Sequence, residues 1–359
     1  MTTSQNKISS LGEFGLIHRI CSKAESGVGV ITGIGDDAAV TISTPGMQLV
    51  TSTDMLLEDV HFRLSWHSAR LLGRKSLAVN ISDIAAMGAI PRWALLSIAL
   101  PAELPVDFVD EFSSGFLEMA SEHGISLIGG DTCASRNGFT ISVTIMGEQF
   151  PDHIMRRSGA KAGEEIWVTG TVGDAAMGFK ILEDKHDSAQ SPDESLSKIP
   201  GKEHLISRLL NPAPRVAAGL ALAESGLATA MIDISDGILG DFGHIAELSK
   251  VGGVLYLEDL PLSGELRSLH DRYREMTYRL SLTGGEDYEL CFTAPPSHRE
   301  KIYSCMKNCG ITASPVGIVT SFPRITIIKG DGSKYNPELT SFNHFIPVLN
   351  QRCHQDGEN

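Results

Sequence analysis

Six groups of acidic residues are the parts of this 359-residue chain best suited to chemistry, because most of them lie beside glycine or where a strand is predicted to end. Six acidic clusters lie far apart along the sequence: Asp36 with Asp37, Thr53 with Asp54, Asp83, Gly130 with Asp131, Asp233 with Asp236, and Glu286 with Asp287. Ligands collect at strand ends in α/β sheets, and glycine lets the backbone approach a ligand closely. We therefore expect the clusters to converge on one site.

Hard oxygen ligands without clustered His or Cys predict Mg²⁺ or Ca²⁺ rather than zinc. Converging carboxylates repel one another, and Mg²⁺ ions bridging a triphosphate would neutralise them. Taken singly, each acid is more often structural: Asp174 is predicted to cap the helix after it, and Asp236 could cap one starting at Gly237. Asp83 resists this interpretation, because an unpaired acid in the apolar helical run LAVNISDIAAMG is costly.

Other kinds of site find no support in the sequence. There is no P-loop and no protein-kinase signature set. The glycines Gly33 and Gly35 are not followed by a dinucleotide fingerprint, and no serine or cysteine has a recognisable base beside it. The pattern therefore favours phosphoryl transfer from ATP over nicotinamide or nucleophilic chemistry.

Composition limits the partners and the compartment. A net charge of −14 with no basic stripe argues against nucleic acid. The six cysteines fit no zinc spacing, and no apolar run approaches the ~20 residues of a membrane span. Without a recognisable signal peptide, we expect reduced thiols and a cytoplasmic location.

Hydrophobic periodicity predicts the elements that position the acids. In the first half we expect helices at 11–21, 69–88 and 105–123 and strands at 47–53, 93–100, 125–128 and 139–147. In the second half a strand at 165–169 opens another α/β run, and the polar stretch 183–201 is predicted to be an exposed loop. This order indicates an α/β (α+β) fold. The length suggests two domains, 1–150 and 151–350, followed by a tail at 351–359.

Seven motifs follow one another in an order that resembles a known family. They are GIGDDAAV, STDMLLEDVHF, LAVNISDIAAMGA, LIGGDT, RSGAKAGEEIWVTGTVGDA, IDISDGILGDFGHI and LTGGEDYELCFT. Together they resemble the thiamine-monophosphate kinase family of the aminoimidazole-ribonucleotide-synthetase superfamily, over roughly residues 10–347.

The resemblance implies an activity, an assembly and a set of site residues. The family converts thiamine phosphate to thiamine diphosphate with ATP, and its N-terminal domains pair into a homodimer through a shared β-barrel, with the nucleotide near that junction. The implied metal positions, for several Mg²⁺ ions, are Asp37, Ser52, Thr53, Asp54, Asp83, Asp131, Asp233 and Asp236. The implied nucleotide contacts are Gly130, Asp131, Arg157 and Ser235, and the implied thiamine phosphate contacts are His61, Glu286 and Phe342.

Direct in-line transfer follows from this expectation, with Asp54, Asp131 and Asp236 as the residues most important for turnover. The attacking phosphate oxygen is already anionic, so positioning and charge neutralisation would supply the catalysis. Two alternatives stay open at this point: a purine-pathway or selenophosphate-type synthetase of the same superfamily, and a nucleotide-binding protein without catalysis.

Overall fold

The computed structural model describes residues 7–186 and 199–337. Phe342 lies outside these residues, as does most of the stretch 183–201, whose first four residues end a helix instead of starting a loop. Among the described residues, no helix is both long and apolar enough to cross a membrane.

The N-terminal part is built on a four-stranded sheet. Its helices are α1 (Gly12–Cys21), α2 (Ala69–Ala86) and α3 (Val106–Glu122). Its strands are β1 (Val30–Thr32), β2 (Val40–Thr41), β3 (Gln48–Leu57), β4 (Ile90–Pro101), β5 (Ser126–Ser135) and β6 (Thr140–Gln149). The sheet order is β3-β6-β4-β5, with β4 and β5 parallel and the other pairs antiparallel, whereas β1 and β2 form a separate pair.

Among the residues that the structure describes, helices cover one face of this sheet only. Helices α2 and α3 pack on that face, where Leu96, Val143 and Phe116 belong to the same core. The helices approach closely: a Cβ at Gly115 would lie 1.9 Å from the Arg70 carbonyl oxygen. Side chains alternate along a strand, so the other face carries a different set of residues, and some of these are apolar and exposed.

The C-terminal part is built on a seven-stranded sheet. Its strands are β7 (Glu165–Thr169), β8 (Ala230–Ile234), β9 (Gly252–Tyr256), β10 (Glu289–Ala294), β11 (Ala313–Thr320), β12 (Ile325–Ile328) and β13 (Lys334–Tyr335). Their order in the sheet is β13-β12-β9-β11-β7-β10-β8. Its helices are α4 (Asp174–His186), α5 (Lys202–Leu210), α6 (Val216–Ser225), α7 (Ile238–Ser249), α8 (Gly264–Thr283) and α9 (Arg299–Asn308).

The predicted mixed α/β class is confirmed, but several predicted element boundaries were wrong. Asp54 and Asp131 lie inside long strands, not at strand ends, because β3 continues to Leu57 and β5 to Ser135. Residues 202–210 and 264–283 form helices that the apolar patterns did not indicate. Both of these helices have a negative mean hydropathy, so their apolar residues are diluted among charged ones.

Asp174 was predicted to cap the helix that follows it, and this prediction was wrong. The Asp174 carboxylate accepts hydrogen bonds from the Thr171 and Ser263 hydroxyls, each at 2.6 Å. The first amides of α4 belong instead to Asp287, whose carboxylate accepts from Gly173 N at 2.7 Å and Ala175 N at 3.4 Å. A carboxylate at a helix N-terminus satisfies free amides wherever it comes from in the sequence.

Candidate active site

Helix α2 forms hydrogen bonds with two positions of strand β3 in the N-terminal sheet. The Ser52 hydroxyl donates to Asp83 Oδ2 at 2.5 Å, and Asn80 Oδ1 accepts from the Asp54 amide at 3.0 Å. Ser52 and Asp54 are two residues apart on β3 and therefore face the same side, toward α2. The acid in the apolar helical run is thus paired with a hydroxyl, as its position required.

The same helix reaches the C-terminal sheet. Asp233 lies buried on β8, and its Oδ2 accepts from the Ser82 hydroxyl at 2.7 Å. The turn after β8 is held by Asp241 of α7, whose Oδ2 accepts from the amides of Ser235 and Asp236 at 3.1 Å each. Helix α7 begins without a side-chain cap at Gly237, so Asp236 does not cap it. The Asp236 carboxylate is free of that role.

Four carboxylates from the two sheets influence one another electrostatically. Loss of hydration and the nearby carboxylates of Asp83 and Asp236 raise the pKa of Asp54 to about 6. Burial and the carboxylate of Asp83 also raise the pKa of Asp233. Ser82 and Asp83 are neighbours on α2 and bond to Asp233 and Ser52, so Asp83 lies between the two sheets. Because like charges shift one another at short range, Asp54 and Asp236 lie in the same region.

Two residues of opposite charge border this acidic group. The positive charge of Arg157 opposes the burial-driven rise in the pKa of Asp83. Glu286 adjoins the turn that carries Asp236, since its amide donates to the Ser235 carbonyl; burial and then the carboxylates of Glu286 and Asp54 raise the pKa of the Tyr288 phenol. Arg157 is exposed and Glu286 is half-buried. The site therefore combines an acidic centre with an accessible guanidinium and an accessible carboxylate.

His61 stands on the turn that follows β3. Its Nδ1 accepts a hydrogen bond from the Leu57 amide at 3.0 Å, and its side chain is half-buried. This bond fixes the ring and assigns the proton of a neutral imidazole to Nε2.

Other predicted site residues are not brought to the acidic group within one chain. Asp131 pairs with Ser97 on the uncovered face of the sheet, on the edge strand opposite β3. Three strand spacings separate these edges by ~14 Å.

Thr53 also faces away from α2, and its hydroxyl donates to the Val143 carbonyl at 3.0 Å. Asp37 is exposed between β1 and β2, where its amide donates to Asp36. The expectation that all six clusters converge is therefore met only in part.

The acidic group offers the oxygen donors that Mg²⁺ prefers, but it is not a complete coordination site by itself. Among the residues that the structure describes, no group of three or more His, Cys, Asp or Glu side chains is arranged to hold a metal ion. Mg²⁺ usually keeps several waters and takes one or two carboxylates together with substrate phosphates. Paired acids that repel each other, with a hydroxyl at Ser52, suit such a partial site.

Gly130 allows β5 to run close to β4. Its φ is +155°, and a Cβ there would lie 1.8 Å from the Leu96 carbonyl oxygen. We expect Gly130→Ala to displace β5 and to lower the free energy of unfolding by about 3 kcal/mol. Gly124→Ala is the control, because Gly124 also has a positive φ of +64° but no atom within 4 Å of the added Cβ. If the two variants lost the same free energy of unfolding in urea denaturation, backbone strain alone would explain the effect.

Three positioning residues escaped sequence reasoning: Asn80, Ser82 and Asp241. Each holds an amide or carboxylate of the site, and each lies on a helix among apolar neighbours. Asn80 and Ser82 are fully buried, so a polar residue at a core-facing helical position was the available signal. A buried polar residue does not show which group it bonds to, because that group comes from a distant part of the chain.

Comparisons with known proteins agree with this arrangement. The chain matches the family model of the AIR synthase related protein N-terminal domain over residues 35–149 and that of the C-terminal domain over residues 161–330. Thiamine-monophosphate kinase of Escherichia coli strain K12 is 36% identical over 335 residues, covering 93% of this chain and 98% of that protein.

Solved structures show the same similarity. Thiamine-monophosphate kinase from Stenotrophomonas maltophilia K279a superposes with a TM-score of 0.78 at 37% identity, covering 90% of this chain and 98% of that one. AaThiL complexed with AMPPCP and TMP gives a TM-score of 0.71 at 32% identity, covering 96% of this chain and 100% of that one. The resemblance of the sequence motifs is confirmed, and this chain belongs to the thiamine-monophosphate kinase family.

Proposed function

We propose that this protein transfers the γ-phosphoryl group of ATP to thiamine phosphate, giving thiamine diphosphate and ADP. The observation that carries the proposal is the meeting of Asp54, Asp83, Asp233 and Asp236 from two sheets. A relative with 32% identity over nearly the whole chain is complexed with AMPPCP, an ATP analogue, and TMP. A phosphate-bearing acceptor and a nucleotide are the ligands that a cation-dependent acidic site of this kind serves.

The reaction forms one P–O bond and breaks another. A terminal oxygen of thiamine phosphate attacks the γ-phosphorus of ATP, the bond to the β,γ-bridging oxygen breaks, and ADP leaves with that electron pair. The attacking oxygen is anionic near neutral pH, so no side chain has to remove a proton. The protein's contribution is to align the two phosphates and to offset their charge.

Each part of the site has a task in this scheme. The exposed guanidinium of Arg157 binds nucleotide phosphate, since a guanidinium can donate two parallel hydrogen bonds to it. Glu286 and His61 bind the thiamine moiety. Asp54, Asp83, Asp233 and Asp236 would hold Mg²⁺, which supplies the positive charge that the triphosphate needs. Ser82, Asn80 and Asp241 keep these groups in place through the hydrogen bonds described above.

The test is a product assay with purified protein, thiamine phosphate, ATP and MgCl₂, followed by chromatography for thiamine diphosphate and ADP. We expect the two products in equal amounts, loss of both with EDTA, and recovery with excess Mg²⁺. Replacing thiamine phosphate by thiamine is the control and should give no diphosphate. ADP release without thiamine diphosphate would indicate another synthetase of the superfamily, and nucleotide binding without turnover would indicate a non-catalytic protein.

The uncovered face of the N-terminal sheet supports pairing with a second copy. Leu49, Met55 and Leu57 line β3 on this face and are 52%, 54% and 37% exposed. Ile31 and Ile42, beside it in sequence, are 67% and 62% exposed. Several large exposed apolar side chains on one part of a surface are typical of a protein–protein interface. A homodimer that joins two of these sheets would cover it, and would also cover Asp131 on the same face.

Met55→Glu should weaken the dimer by placing a charge among the exposed apolar side chains of β3. We expect the mass from light scattering to fall from that of two chains to that of one at low micromolar concentration. Leu248→Glu is the matched control, because Leu248 is 57% exposed on α7, away from this sheet. A wild-type protein that stays monomeric at all concentrations would contradict the proposed dimer.

A further inference from the structure

Lys75 is a buried charge that the scheme above does not use. Its side chain is 0% exposed in the middle of α2, in the run GRKSLAVN. The ammonium donates to the Leu209 carbonyl oxygen at 3.1 Å and to Glu286 Oε2 at 2.6 Å. A lysine is almost never fully buried unless it is paired, and Glu286 is the charge that pairs it.

Glu286 is fixed at both ends. Its backbone adopts a left-handed φ of 69°, which non-glycine residues rarely adopt, and its amide donates to the Ser235 carbonyl at 2.8 Å. Its side chain remains 25% exposed, although one oxygen is held by Lys75. The carboxylate is thus anchored from inside the protein while part of it stays accessible from outside.

The accessible part lies next to the acidic group. Burial and then the carboxylates of Glu286, Asp54, Asp233 and Asp83 raise the pKa of the Tyr288 phenol. Ser235, which accepts the Glu286 amide, adjoins Asp236 in the same turn. A ligand at the acidic centre would therefore be close to the exposed part of Glu286, whereas Lys75 has no exposed surface with which to contact it.

We infer that Lys75 is a positioning residue for thiamine phosphate: it holds the Glu286 carboxylate in the orientation that meets the cationic thiamine moiety. This inference rests on the proposed function. Without the ammonium, Glu286 would lose its inner anchor and turn outward toward water, because an unpaired buried carboxylate is costly. Nucleotide binding, which depends on other residues, would be spared.

The test separates the two substrates kinetically. For Lys75→Met we expect the KM for thiamine phosphate to rise at least tenfold and the KM for ATP to change less than twofold. Lys75→Gln, which is neutral and can still donate to the Leu209 carbonyl, should show the same selective change if the methionine variant folds poorly. Leu72→Ala is the control for damage to α2, because Leu72 is fully buried in the core. It should lower stability without a selective effect on either KM.

A double-mutant cycle with Glu286→Gln tests the route of the effect. If Lys75 acts through Glu286, then Lys75→Met in the Glu286→Gln background should change the KM for thiamine phosphate less than twofold. Independent, multiplicative effects would overturn the inference, as would equal rises in both KM values for Lys75→Met. A wild-type protein that forms no thiamine diphosphate would instead overturn the proposed function, and with it this inference.

Discussion

Asp54→Asn is expected to lower the turnover number about 10³-fold or more, a loss of ~4 kcal/mol of transition-state stabilisation. Asparagine has nearly the same shape as aspartate and keeps the hydrogen bond from the backbone amide of residue 54 to Asn80 Oδ1. It removes the negative charge that is needed to hold a cation beside the phosphates. Turnover should be measured at saturating ATP, thiamine phosphate and Mg²⁺, so that weaker binding cannot account for the loss.

The fold should survive this change. Asp54 is repelled by Asp83 and Asp236, and its raised pKa shows that the folded protein disfavours its charged form. The neutral variant should therefore unfold at the same temperature as the wild type or a higher one. Asp331→Asn, in the exposed turn before β13, is the control and should leave both turnover and stability unchanged. A normal rate for Asp54→Asn would refute its role as a metal ligand.

Glu289→Gln is expected to lower the free energy of unfolding by about 3 kcal/mol, because it breaks a buried ionic network. Glu289 is 0% exposed on β10 and accepts from the Thr169 hydroxyl at 2.8 Å, from Arg208 Nη2 at 2.8 Å and from Arg215 Nε at 2.7 Å. A neutral amide leaves two guanidinium groups without their carboxylate. Denaturant titration at constant pH would measure the loss.

The control for Glu289 is an ion pair at the surface. Glu103, which pairs with Lys7, has a side chain that is 74% exposed, and exposed pairs contribute only about 0–1 kcal/mol. Glu103→Gln should therefore leave the midpoint of denaturation nearly unchanged. Similar losses for the two variants would mean that burial of the Glu289 network adds nothing to stability.

Periodicity predicted the class of the fold and most helices of the first half, because α2 and α3 have apolar faces that pack on one sheet. Periodicity did not predict the helix at 264–283, because charged residues between its apolar positions weaken the apolar pattern. It also ended the strand before Asp54 too early, because a polar residue on an open sheet looks like the start of a loop.

The site could be anticipated in its chemistry more than in its geometry. Acids beside glycine or near predicted strand ends indicated a cation-dependent centre, and four acids, of which only Asp236 adjoins a glycine, do lie in one region. The face on which a strand residue lies depends on register and bulges, and β5 carries one opposite Ala94 and Leu95 that sets the side of Asp131. No short motif reports such a shift, so the sequence alone placed Asp131 with the rest.

Helix α2 limits how the two halves of the protein can be recombined. Ser82 bonds to Asp233 of the second sheet, and Lys75 bonds to Glu286 and Leu209 beyond it. A chimera that joins the first 150 residues of this chain to the remainder of a relative would need matching side chains at positions 233 and 286 and a backbone carbonyl in the place of that of Leu209. Substitutions on α2 should therefore be inherited together with changes in the second half, and neither half should be interchangeable alone.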